Sequence, residues 1–371
     1  MTDPRNSAPQ SSPSAPSTAA APISTDPAAH PASFASDNWA GAHPEALAAL
    51  AAANVGHAPA YGDDAWTARF QGLAKELFGT SAQAYPVFNG TGANVLALQA
   101  ALPRWGAVIC AATAHIATDE TGAPEKTGGL KLLTVGTPDG KLTPELVAQQ
   151  AWGWGNEHRA EPLAVSISQS TEFGTSYSAD EVAALAEQAH AHGMLLHVDG
   201  SRLGNASAYL GTSLAATTAE AGADLLSLGG TKNGLVGAEA VIVLRPGATP
   251  GMPYLRKINL QLASKMRFAS AQLTALYEGD LWHRSASHAN TMAARLGTGI
   301  AALGAQDPGF TLAFPVESNG VFALLPAAAA ERARTRYAFS EWPGRPGLFR
   351  LMCAWDTNPE DVDALLALLA G

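Results

Sequence analysis

The sequence predicts an α/β fold built on a largely parallel sheet with helices on both faces, and three observations carry that expectation. Short, nearly uninterrupted apolar runs recur along the chain. Segments with apolar residues three and four apart, the helical spacing, lie between them. With 371 residues, 47% of them hydrophobic, the chain is long enough to bury a large core and to form two or three domains.

In chain order, residues 1–33 are dominated by Pro, Ser, Ala and Thr with few large apolar side chains, a composition that cannot offset its ordering entropy, and disorder is expected. This arm has neither a basic start followed by an apolar stretch nor an Arg-rich amphipathic face, so no signal or transit peptide is expected and the cytoplasm is the default location. Helices are expected over Pro44-Glu45-Ala46-Leu47-Ala48-Ala49-Leu50, from Asp64 to Phe78, and from Ala93 to Ala101. The β-rich runs are Ala107-Val108-Ile109-Cys110, Lys131-Leu132-Leu133-Thr134-Val135 and Leu163-Ala164-Val165-Ser166-Ile167-Ser168. A helix over Ala179 to His192 separates these from Met194-Leu195-Leu196-His197-Val198 and Asp224-Leu225-Leu226-Ser227-Leu228. There is no fixed-period repeat.

Composition excludes several function classes. A formal charge of -10 without a Lys/Arg cluster offers no footprint for nucleic acid or an anionic membrane. No apolar run approaches the roughly 18 to 20 residues that span a bilayer. Cys110 and Cys353 fit no CxxC or Cys/His spacing, so neither a disulfide framework nor a metal site is indicated.

In sheets of this kind the chemistry sits beyond the carboxyl ends of the strands, and three such ends carry candidates. Val198-Asp199-Gly200-Ser201-Arg202 presents an acid and a base. Leu226-Ser227-Leu228-Gly229-Gly230-Thr231-Lys232-Asn233-Gly234 presents one lysine among glycines that permit tight turns. Phe88-Asn89-Gly90-Thr91-Gly92-Ala93-Asn94 joins a strand to a helix, whose free N–H groups and dipole suit an anion such as phosphate. Each alone has a plainer explanation: a solvated loop lysine, a capping aspartate, an ordinary turn. No Walker phosphate loop occurs, because Lys232 is followed by Asn, and no convincing nicotinamide fingerprint is present. Together the three supply what pyridoxal 5'-phosphate (PLP) requires: an amine for its aldehyde, a carboxylate for its pyridine nitrogen and a cup for its phosphate.

Over more than nine-tenths of the chain, from about Phe34 onward, the sequence resembles the low-specificity L-threonine aldolase and L-phenylserine aldolase branch of the fold type I, aspartate-aminotransferase-like PLP enzymes. The matching stretches include Phe34-Ala35-Ser36-Asp37-Asn38, Ala60-Tyr61-Gly62-Asp63-Asp64, Phe88-Asn89-Gly90-Thr91, and Ala114-His115 with Thr118-Asp119-Glu120. They continue through Gly122-Ala123-Pro124-Glu125, His197-Val198-Asp199-Gly200-Ser201-Arg202, Gly229-Gly230-Thr231-Lys232-Asn233-Gly234, Ala263-Ser264-Lys265-Met266-Arg267 and Cys353-Ala354-Trp355-Asp356-Thr357. The sequence departs from the pattern in its long arm and in Gly92, where a bulkier small residue is common.

The resemblance implies a large, mostly parallel seven-stranded PLP-binding domain over 34–254 and a smaller C-terminal α/β domain over 255–371, in a homodimer or homotetramer with shared active sites. It implies Lys232 as the residue that holds the cofactor's aldehyde, Asp199 as the partner of its pyridine nitrogen, and Gly90 with Thr91 as the phosphate turn. His115 matches the histidine that stacks on the cofactor ring and is implicated in handling the β-hydroxyl proton. Ser36, Arg202 and Arg350 match the groups that hold the substrate carboxylate, Arg202 lying beside the cofactor as well. Arg267 matches a basic residue near the phosphate, across a subunit interface. The implied reaction is retro-aldol cleavage of an L-β-hydroxy-α-amino acid to glycine and an aldehyde. The alternatives are a β-eliminating lyase or another fold type I PLP enzyme acting on aromatic amino acids, using the same lysine and aspartate, and a PLP-binding protein without catalysis, against which the two arginines speak. Among the ten histidines, His190 and His192 read as a solvated helix face, and His197 as a core residue or a partner of the cofactor's carboxylate.

Overall fold

Residues 32–371 are described by a computed structural model, so the arm expected to be disordered lies outside the described residues except for Ala32 and Ser33. Phe34 is fully buried; its N–H donates to the Ala338 carbonyl (2.9 Å) and its own carbonyl accepts from Met352 (2.8 Å).

Seven strands form the principal sheet: β1 Gln83–Val87, β2 Gly106–Ala111, β3 Lys131–Val135, β4 Glu161–Ser168, β5 Leu195–Gly200, β6 Leu225–Leu228 and β7 Glu239–Val243. They lie in the order β1-β7-β6-β5-β4-β2-β3. β2 to β6 pair in parallel, while β7 is antiparallel to both β1 and β6. Alternate residues of β6 and β7 enter different cores, as the two-residue period of a strand demands. Leu225, Val241 and Val243 pack with Leu96 and Ala97 of the helix Gly90–Ala101, whereas Leu226, Ala240 and Ile242 share a core with Phe70, Leu73 and Leu276. Both faces of the sheet are thereby covered, which is why its strands read as continuous apolar runs.

The helices begin where their caps place them. Asp64 accepts the Thr67 N–H (2.8 Å) ahead of Ala65–Phe78, and Ser178 and Glu181 form a reciprocal capping box for Ala179–Ala191. Asn89 caps Gly90–Ala101, which therefore starts three residues before the expected Ala93. A second, antiparallel sheet follows: β8 Thr311–Leu312, β9 Gly320–Leu324, β10 Ser340–Glu341 and β11 Leu348–Met352, in the order β10-β11-β9-β8. Val321 and Leu351 pack it against Leu296 and Ile300 of the helix Leu281–Gly304 and against Leu365 and Leu369 of Pro359–Ala370. Among the described residues no helix is long and apolar enough to cross a membrane.

The three singled-out histidines are now placed. His190 and His192 are exposed, as expected of a solvated helix face, with His190 bonded to Asp224 (2.8 Å) and His192 stacked on Trp154 with centroids 4.9 Å apart. His197 is fully buried, and its Nδ1 and Nε2 meet the hydroxyls of Ser166 (2.9 Å) and Ser227 (3.0 Å) on the flanking strands. It is a core residue that pins three strands together and makes no hydrogen bond to Asp199. Burial lowers its pKa from 6.5 to about 4. The unfolded chain binds this proton at a pH where the folded chain still refuses it, so stability is complete above pH 6.5 and falls as the pH drops toward 4. By about pH 5 the loss is about 2 kcal/mol. Denaturant unfolding at pH 7 and pH 5 checks this, and His197→Gln flattens the difference.

Candidate active site

The connection from β6 to β7 carries Lys232. Because β7 returns antiparallel to β6, with Leu228 opposite Ala240, ladder pairing fixes the start and end of this connection. Between them the N–H groups of Gly230 and Thr231 donate to the buried carboxylate of Glu239 (2.6 and 3.3 Å), and the Tyr277 hydroxyl donates to the Gly229 carbonyl. A Cβ at Gly229 would stand 2.6 Å from the Ser201 carbonyl, so only glycine lets the ends of β5 and β6 approach this closely.

Lys232 opens into a cavity of about 670 Å³ whose wall also includes Ser36, His115, Arg202 and Arg350. Five residues spread over more than 300 positions thus converge on one space. Burial, then the charge of Arg202, pushes the Lys232 amine below the ordinary lysine range, against the pull of Asp37, Asp199 and Glu239. The same burial raises Glu239 to about 7.

Asp199 ends β5 in the buried floor. Its Oδ1 accepts from the N–H (3.0 Å) and hydroxyl (2.7 Å) of Ser201, and its Oδ2 accepts from Asn94 Nδ2 (2.8 Å). Burial alone would raise this carboxyl, but the charge of Lys232, the bonds from Ser201 and Asn94, and His115 together hold it below the usual range. Beside it, the helix Gly90–Ala101 leaves the N–H groups of Gly90 and Thr91 without an acceptor among the described residues, because Asn89 takes those of Gly92 and Ala93. A Cβ at Gly90 would lie 3.7 Å from Ser201 Oγ, so this turn and the Asp199 carboxylate meet at the same serine. A side chain at Gly92 would collide with the amide of Gln261, whose Oε1 accepts the Phe88 N–H (3.0 Å).

The two cavity arginines differ. Arg202 is gripped by Asp37 through both Nε (2.7 Å) and Nη2 (2.9 Å), with Asn319 donating to the same carboxylate (3.0 Å). Burial would raise Asp37, but Arg202 prevails and holds it at about 2. Arg350 has no carboxylate partner among the described residues; its Nη2 donates to the Ala35 carbonyl (3.2 Å) and its buried Nε has no acceptor. Ser36 shapes this corner by capping the turn Asp37–Trp39, its Oγ accepting the Asn38 N–H (3.2 Å). Arg267 is not among the cavity residues. It starts the helix Arg267–Tyr277 with its guanidinium 5.0 Å from the Phe268 ring centroid and its Nε buried without an acceptor.

His115 Nδ1 meets Glu120 Oε1 at 2.8 Å, and its backbone N–H donates to Glu172 Oε1 (2.9 Å), which also accepts from the Ser168 hydroxyl (2.7 Å). The Glu120 bond raises His115 above the ordinary histidine value, and burial raises Glu172. Asp37, Asn94, Glu120, Glu172 and Glu239 were given no role by sequence. Phe322, Trp342, Pro343 and Met352 add apolar surface to the lining beside Arg350: Phe322 is its ladder partner, and the Trp342 ring centroid lies 5.9 Å from its guanidinium.

Comparison with known proteins agrees with this architecture. A sequence profile of the beta-eliminating lyase family matches residues 33–325. A low specificity L-threonine aldolase of Pseudomonas aeruginosa is 45% identical over 338 residues, covering 91% of this chain and 96% of the relative. A protein of the same name from a Pseudomonas species is 44% identical over 90% of this chain and 96% of its own. The solved structure of a threonine aldolase from Leishmania major superposes with a TM-score of 0.85 at 31% identity, covering 91% of this chain and 98% of that one.

Asp37→Asn leaves Arg202 in the wall without its counter-charge. Removing one member of a buried pair costs more than the pair contributes, and a loss of about 3 kcal/mol is expected in guanidinium chloride unfolding.

Proposed function

The chain belongs to the beta-eliminating lyase family, and from that premise we propose that it is a PLP-dependent aldehyde-lyase of the L-threonine aldolase type. It cleaves L-threonine, L-allo-threonine or L-phenylserine-type β-hydroxy-α-amino acids to glycine and an aldehyde. The observation that carries this is identity of 45% to a low specificity L-threonine aldolase across 91% of the chain.

The residues present fit the cofactor. An amine with a depressed pKa and no ion-pair partner among the described residues, an ionised buried carboxylate and two free N–H groups at a helix start are the donor set that PLP needs. Lys232 would hold its aldehyde, Asp199 its pyridine nitrogen, His115 the ring face, and Gly90 with Thr91 the phosphate, with Arg202 and Arg267 as further cationic neighbours. When bound, the cofactor supplies an electron sink for the bond broken at Cα.

This chain's own residues then decide which bond that is. Arg350, lacking a carboxylate partner, takes the substrate carboxylate in a bidentate grip, with Ser36 and the free nitrogen of Arg202 beside it. Fixing that carboxylate sets the rotation about Cα, so cleavage follows orientation. His115 takes the β-hydroxyl proton. The apolar wall of Phe322, Trp342 and Met352 receives the aldehyde end, and a cavity of about 670 Å³ has room for an aromatic ring there.

The active form is a homodimer or homotetramer. Tyr61, Phe88, Tyr254, Ile258 and Leu260 are exposed (52, 38, 76, 68 and 83%) on neighbouring segments joined by the Tyr61–Ser264 and Phe88–Gln261 bonds. Such an apolar face needs a partner, and Arg267 lies near it in sequence. The boundary between the large and small domains falls near Tyr254.

An absorbance spectrum of the purified protein, with glycine and aldehyde release from L-threonine and L-phenylserine, tests the assignment. A band lost in Lys232→Ala together with aldehyde release is expected; pyruvate or ammonia without aldehyde would indicate β-elimination, and no band after adding PLP would refute the assignment. Arg350→Lys removes the planar fork but keeps the charge. It should raise KM for L-threonine about 10- to 100-fold, the equivalent of a lost charge-assisted hydrogen bond, with a smaller change in kcat.

A further inference from the structure

Between His115 and Asp199 runs an unbroken line of hydrogen bonds, buried at Asn94 and partly buried at His115. Asn94 Nδ2 donates to Asp199 Oδ2 (2.8 Å) and to Glu120 Oε1 (2.9 Å), and that same Glu120 oxygen meets His115 Nδ1 (2.8 Å). Asn94 is 1% exposed and Glu120 4%, so neither bond competes with water. The four residues come from three separate places: the helix Gly90–Ala101, the segment following β2 and the end of β5.

We propose that Glu120 is a positioning residue that fixes His115 as the base for the β-hydroxyl proton, and that Asn94 ties this pair to the Asp199 carboxylate. This rests on the aldolase assignment above and adds the machinery of its proton transfer. With Nδ1 donating to the Glu120 oxygen, the neutral form of the ring carries its lone pair on Nε2. Nε2 has no partner among the described residues, and His115 lines the cavity. As the Cα–Cβ bond breaks, the β-hydroxyl proton passes to Nε2, the C–O bond becomes C=O, and the bonding pair stays with the glycine half. A proton delivered to Cα afterwards keeps the reaction proton-neutral overall.

Glu120 stabilises the imidazolium that forms, as the carboxylate of a catalytic triad does. The other charges that face His115 are Asp199, which acts in the same direction, and Lys232, which opposes it; Glu172 meets only its backbone N–H. Asn94 commits both amide hydrogens, one to each carboxylate. It thereby holds two buried carboxyl groups at fixed positions, and a single amide sets the place of both the base and the cofactor's carboxylate.

The test is Glu120→Gln in the full chain, read in two ways. In the cofactor-free protein, NMR titration of the His115 ring should show its pKa fall by about one unit or more from the native value. In the loaded enzyme, kcat for L-threonine cleavage should fall about 100-fold at neutral pH with KM little changed, while exchange of the glycine α-proton, which involves no β-hydroxyl, stays within a few-fold of native. A Glu120→Gln protein whose His115 titrates as in the native chain, or which loses cleavage and exchange equally, would overturn the proposal. Should Glu120→Gln not fold, Glu120→Asp decides by the same readouts: an elevated His115 pKa with cleavage mostly retained supports the proposal, and an ordinary pKa with undiminished cleavage refutes it. The NMR readout requires neither cofactor nor turnover, so a failure of the aldolase assignment itself would appear separately, as no aldehyde from the native enzyme.

Discussion

Everything at this site depends on charges that have been taken out of water and therefore answer to one another. Asp37, Asp199, Arg202 and Lys232 lie within mutual electrostatic reach: Lys232 stabilises the ionised form of both carboxylates, Arg202 lowers the lysine, and Asp37 holds Arg202. In bulk water such influences would be worth little at these ranges. Buried, they push the lysine amine below its ordinary range while holding the aspartate beside it below the usual carboxylate range, the two directions that the proposed reaction with a cofactor aldehyde calls for. Neither group could be set independently.

The sheet supplies the geometry for this balance. β2, β4, β5 and β6 run in parallel, so their carboxyl ends and the segments that follow, with Asp199 near the end of β5 and His115, Glu172 and Lys232 after the others, lie at one edge. The exception has its own use. Because β7 runs the other way, its first residue, Glu239, begins at that same edge, and its carboxylate takes the N–H groups of Gly230 and Thr231 that would otherwise be orphaned in the lysine turn. A parallel β7 would have placed this carboxylate at the far end of the sheet.

Much of the fold was legible because burial on both faces leaves a plain mark: apolar runs at β2 to β6 bounded by Gly and polar residues. β7 was not singled out, although Glu-Ala-Val-Ile-Val has strand character, since nothing local marks it as a strand of reversed direction. In the site, Lys232 and Asp199 were readable because they stand at or just beyond the carboxyl ends of apolar runs, Asp199 being the penultimate residue of β5. Asn94 was hidden inside a helical pattern, Glu120 in an irregular segment, and Asp37 lies 165 positions from the arginine it binds. Their roles come from partners distant in sequence, and no local pattern records such a partner. His197 shows the converse: period-two spacing places it on the Asp199 side of β5, but the serines that satisfy it belong to the neighbouring strands.

The same limit explains why sequence treated Arg202 and Arg350 alike while the structure separates them. An arginine with two nitrogens already bonded to a carboxylate is close to neutral as a unit and offers a substrate mainly one further donor and a rigid wall. Arg350 carries the opposite condition: burial and the repulsion of Arg202 disfavour its charge, its Nε is buried without an acceptor, and no carboxylate answers it among the described residues. A charge left in that state is costly until an anion arrives. In the proposed reaction the substrate carboxylate would therefore find its main partner in Arg350, since Asp37 already occupies two nitrogens of Arg202. In that reaction this division would assign the amino acid's carboxylate to Arg350 and leave the choice of β-substituent to the rest of the cavity lining.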